Sequence, residues 1–106
     1  MSYTVNDALK ETAEAARAAL ATDLPQARKV IKSFLRARKE RAEDIVKKLE
    51  SGKINAATLG IVLKNEEKIL KSELRATRIL TKSAAQHAAN AAIKTLEKAL
   101  LRVAGV

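Results

Sequence analysis

The chain has 106 residues, with 21 Lys and Arg against 12 Asp and Glu, for a net charge of +9. Its 21 alanines, single Pro and three Gly, with one Phe, one Tyr and no Trp, favour helix and argue against a sandwich or barrel. With no Cys there is no disulfide framework, thiol nucleophile or thiolate zinc site, which fits a reducing compartment such as the cytoplasm.

The first helix is predicted over residues 5–22, with Thr4 as N-cap and Asp7 in the first turn, where the helix dipole favours a carboxylate. Val5, Leu9, Thr12, Ala16 and Leu20 recur at three- and four-residue steps and form one apolar stripe. Thr22-Asp23-Leu24-Pro25-Gln26 predicts a kink, with Asp23 as N-cap and Pro25 in a first turn, where a missing amide hydrogen costs little. A second helix over residues 24–51 carries Ala27, Ile31, Phe34, Leu35, Ala42, Ile45 and Leu49 on one stripe, with Gly52 as its left-handed stop. Asn55 caps a third helix over residues 55–104, closed by Gly105, with one weak candidate break at Thr81-Lys82-Ser83. Its longest run of large apolar residues, Leu59 to Leu63 around Gly60, is far short of the roughly 20 residues of a membrane span. The N-terminus lacks the basic and apolar regions of a secretion signal.

Residues 5–51 and 55–104 would form arms of about 70 Å and 75 Å at 1.5 Å per residue. An antiparallel hairpin turning at Gly52 brings position i opposite position 105 − i. Ala13, Ala15, Ala16, Ala18, Ala19 and Ala21 then face Ala84, Ala85, Ala88, Ala89, Ala91 and Ala92, so the backbones there can approach closely. Leu9 meets Leu96, and Ile31 meets Leu74. Val62, Leu63, Ile69, Leu70, Leu74 and Leu80 cover an arc wider than a two-helix seam needs. Either the chain folds back at Pro25 and near Thr81 into a four-helix bundle, or two hairpins associate. The weakness of the second break favours association, most simply as a homodimer forming a four-helix, coiled-coil-like assembly.

Arg38 lies in the apolar stripe of the second helix, and Glu66 and Glu73 lie in the arc of the third. The 105 − i register sets Arg38 against Glu66 and Glu67, predicting an inter-helix polar layer. These carboxylates do not make a di-iron motif. The single His87 has Ala84 three residues before it and Asn90 three after, where a Glu-x-x-His pair would need a carboxylate. No other cofactor motif is present, no nucleophile elbow is present, and an Ala-rich hairpin offers little concavity for a small-molecule substrate.

Positive charge is concentrated in residues 26–53, with ten bases and four acids. Lys64, Lys68, Lys71, Arg75, Arg78 and Lys82 follow alternating four- and three-residue steps and share one helix face, with no acid among them. Lys29, Lys32, Arg36 and Lys39 form a similar row on the second helix. Such rows can neutralise phosphates without reading bases, whereas too few aromatics are available to stack on single strands. The sequence therefore predicts an all-α, non-enzymatic interaction module that pairs with itself or with another helical protein. The alternative is a nonspecific nucleic-acid binder using these ten cations.

Overall fold

The computed structural model describes residues 2–20 and 22–106, so Ala21 of the mirrored alanine pairing lies outside the described residues. Among the described residues five helices follow in chain order: α1 Val5–Ala18, α2 Pro25–Arg36, α3 Lys39–Glu50, α4 Ala56–Ala76 and α5 Lys82–Ala104. Thr4 caps α1 in a capping box closed by Asp7, whose carboxyl these bonds to Thr4 hold below the usual carboxylate range. Pro25 is the first residue of α2, but the N-cap is Leu24, not Asp23, and it makes no side-chain capping bond. The Asp23 carboxylate instead pairs with Arg28 Nε at 3.1 Å. At the end of α3, Gly52 takes φ 77°, and the Lys53 amide donates to the Lys48 carbonyl at 2.9 Å. Asn55 then accepts from the Thr58 amide and starts α4.

The all-α class holds, but the two straight arms do not. The molecule measures 41 × 29 × 19 Å, too short for an arm of about 70 Å. Each expected arm is doubled back on itself, the first after α1 and the second between α4 and α5. The second fold-back lies at Thr77–Thr81, a few residues before the weak break predicted at 81–83. Thr77 Oγ1 donates to the Leu74 carbonyl at 2.6 Å, Arg78 adopts the left-handed region at φ 63°, and Thr81 caps α5 by accepting from the Ala84 amide. No Gly or Pro marks this turn. Closing it lays α4 against α5, which covers the wide apolar arc that had argued for a second copy.

The 105 − i register survives where α1 meets α5 and where α2 meets α4, whereas α3 packs on α5 and α1 rather than on α4. Ala16 shares a core with Ala85, Ala88, Ala89 and Ala92, and Ile31 shares it with Leu74. Toward the other end, Ala8 packs with Ile93, Leu96 and Leu100, joined by Ile45, Leu49, Leu59 and Leu63. Consequently α1 runs antiparallel to α5, and α2 runs antiparallel to α4. The result is an up-and-down four-helix bundle whose second helix is broken at Ala37–Arg38. At the chain ends the Arg102 guanidinium stacks 4.0 Å from the Tyr3 ring centroid, and it lies 3.8 Å from Glu11. Burial, reinforced by the Glu11 carboxylate, pushes the Tyr3 phenol up to about 12.

Close packing and turn strain give opposite mutational signs. Ala89 is fully buried where α1 meets α5. Ala89→Leu is expected to lower stability by about 1–3 kcal/mol through overpacking. Arg78→Gly, which relieves a left-handed L-residue, is expected to raise it by roughly 1 kcal/mol. Urea melts of both variants check these signs.

Candidate functional site

An open, basic groove of about 800 Å³ lies between α1 and α2. Its charged lining is Lys10 and Arg17 from α1, Arg28, Lys29, Lys32 and Arg36 from α2, and Lys39 at the start of α3, against the single carboxylate of Glu14. Leu9, Ala13, Ile31 and Leu35 form the floor. The expectation of little concavity does not hold, because doubling the first arm sets α1 beside α2 and opens a groove along them that a straight hairpin lacks. On α2 the sequence dictates the split: Ala27, Ile31 and Phe34 point inward at helical spacing, and Lys29, Lys32 and Arg36 fall on the exposed side. With Arg28 paired to Asp23, six further cations against the single carboxylate of Glu14 still make this groove attractive to negative charge.

All four cations predicted on the second helix line the groove, whereas none of the six predicted on the third does. The latter row is also divided. Lys64, Lys68, Lys71 and Arg75 follow one face of α4, but Arg78 sits in the strained turn and Lys82 opens α5. Sequence reasoning missed Lys10, Arg17 and Arg28 as members of the site. The seven-residue spacing of Lys10 and Arg17 places them on one face of α1, a signal that was available.

The polar layer forms beside this region with altered membership. Arg38 Nε donates to Glu66 Oε2, and Arg41 Nη1 donates to Glu66 Oε1 at 2.7 Å, so one buried carboxylate holds two guanidinium groups. Glu67 does not join them and instead accepts from Gln86 Nε2 at 3.0 Å. Glu73, expected in the apolar arc, is exposed. It lies near the end of α4, where its place on the helix wheel falls at the edge of the packed face. Arg41 was not foreseen, because its side chain is 62% exposed and reaches the layer only by spanning from α3 to α4.

Arg38 also explains the break in the second helix. Its amide donates to the Leu35 carbonyl three residues back, which frees the Phe34 carbonyl. The Arg38 guanidinium then fills that vacancy, donating from Nη1 at 3.0 Å, and it stacks 3.6 Å from the Phe34 ring centroid. One side chain therefore satisfies the broken turn and the buried carboxylate together.

Among the described residues, no group of three or more His, Asp or Glu side chains could hold a metal ion, and no helix is long and apolar enough to cross a membrane. His87 is exposed on α5. No family model matches the chain, and no curated protein or solved structure matches it significantly.

Removing one member of the polar layer should cost more than removing both. Arg38→Leu leaves Glu66 buried with Arg41 alone, and it is expected to destabilise by about 1–3 kcal/mol, less than a fully broken buried pair because one ion pair persists. Adding Glu66→Leu should restore the part of that loss that comes from the buried carboxylate and leave the part that comes from the uncovered Phe34 carbonyl, and thermal melts of the single and double variants measure the difference.

Proposed function

We propose that this protein is a non-enzymatic helical interaction module that binds an acidic partner protein through the groove between α1 and α2. The carrying observation is the groove's lining of seven cations and one carboxylate over an apolar floor. Charge of one sign in a concave site raises the local concentration of an anionic partner and steers its approach. A second copy is a poor occupant, because each chain carries +9 and the wide apolar arc of α4 is already packed within one chain. The absence of Cys suits work in the cytoplasm.

A second reading has its own observation. Lys64, Lys68, Lys71 and Arg75 run along α4 with no acid on that row. Their span of about 16 Å could follow the phosphates of a nucleic acid, with an affinity that falls steeply as salt rises.

One titration separates the two readings. Fluorescence anisotropy with labelled poly-L-glutamate and labelled duplex DNA is compared for the wild type, for Lys29→Glu/Lys32→Glu/Arg36→Glu, and for Lys64→Glu/Lys68→Glu/Arg75→Glu. The groove variant is expected to lose at least tenfold in poly-L-glutamate affinity, about 1.4 kcal/mol, while the α4 variant loses less than threefold. Tighter DNA binding that depends on the α4 row would instead favour the second reading.

A further inference from the structure

The shape of the groove says more than its charge. On α1 it runs from Asn6 to Arg17 and on α2 from Pro25 to Arg36, about 16 Å along each helix or three helical turns. Lys10 and Arg17 stand on one rim with Glu14 between them, leaving that rim net positive, and Lys29, Lys32 and Arg36 stand on the other. Between the rims, Ile31 and Leu35 close the bottom, and Leu9 and Ala13 remain half-buried and available for contact. In cross-section this is positive, apolar, positive.

Resting on the reading that the groove takes an acidic protein, we infer that its occupant is an amphipathic α-helix with an apolar stripe flanked on both sides by Glu or Asp. Such a helix presents the complementary cross-section, negative, apolar, negative, and a third helix lying on two others repeats the packing of a bundle. The flanking carboxylates would meet the rim cations as interhelical pairs do beside a coiled-coil seam. Other anions use less of the surface. An extended acidic chain meets the rims but has no continuous stripe for Leu9 and Ala13. A lipid concentrates its charge at one end, whereas these cations line the whole length. A single-stranded nucleic acid would need aromatic platforms, and the chain has only Tyr3, stacked on Arg102 at the far end of α1, and the buried Phe34.

The test uses the intact protein with three labelled probes. One is a designed 21-residue peptide with Leu at helical a and d positions and Glu at the flanking e and g positions. The second has the same composition scrambled to abolish the stripe, and the third is poly-L-glutamate. Anisotropy gives affinity, and circular dichroism reports whether the peptide becomes helical on binding. The patterned peptide is expected to bind at least tenfold tighter than the scramble and to gain helix. Ala13→Gln, which fills the floor without changing charge, should weaken the patterned peptide about fivefold and leave poly-L-glutamate within twofold. Lys32→Gln/Arg36→Gln, at exposed positions that spare the fold, should weaken both ligands. Equal binding of patterned and scrambled peptides, with poly-L-glutamate binding intact, would overturn the helical occupant and leave the acidic-partner reading standing. Failure of every acidic probe to bind would overturn both.

Discussion

The fold depends on how closely other helices can approach α5. That helix packs against α1, α4 and α3, and the residues it buries toward them are mostly alanine: Ala85, Ala88, Ala89, Ala92 and Ala99, with Ile93, Leu96 and Leu100 filling the wider end. A leucine-faced helix would hold its neighbours farther off and leave voids beside the small residues of α1. Ala8 and Ala16 complete the match from the facing side, each fully buried. Dense packing of small residues where α1 meets α5 complements a core built elsewhere from Leu, Ile and the single Phe34.

The groove follows from this packing and from the break at Arg38. Because α3 turns toward α5 while α2 remains against α1, the second helix need not be a straight rod, and α2 can set its basic face beside α1. The break would leave a carbonyl unpaired if Arg38 did not cover it. Glu66, almost fully buried on α4, anchors Arg38 and Arg41 and so ties the angle between α2 and α3 to the opposite helix. The polar layer and the candidate binding surface are therefore mechanically linked, although Arg38, Arg41 and Glu66 do not line the groove.

Much of the pairing was legible in the sequence, but its three-dimensional folding was not. Thr4, Asn55, Gly52 and Gly105 announced helix ends through capping chemistry that is local to a few residues. Arg38 and Glu66 met because position i faces 105 − i, whether the hairpin is straight or doubled over. That invariance is why register could not decide between the two arrangements. The deciding turn, at Thr77–Thr81, has no Gly or Pro and forces Arg78 into the left-handed region, a geometry that tertiary packing imposes on residues which would otherwise continue a helix. The rows of cations were visible by spacing, but their neighbours were not. Lys10 and Arg17 joined Lys29, Lys32 and Arg36 only because the first arm folded back, and the six-cation row on the other arm was cut for the same reason.

The fold-back between α4 and α5 is best tested by one distance. With no native cysteine, Lys64→Cys/Lys94→Cys carries spin labels at two exposed sites, and labelled chains diluted in unlabelled protein report only distances within one molecule. Packed helices whose axes lie about 8–10 Å apart predict a label separation below about 25 Å. A separation near 45 Å, the length of 30 residues in one continuous helix, would contradict the folded bundle and the groove built on it.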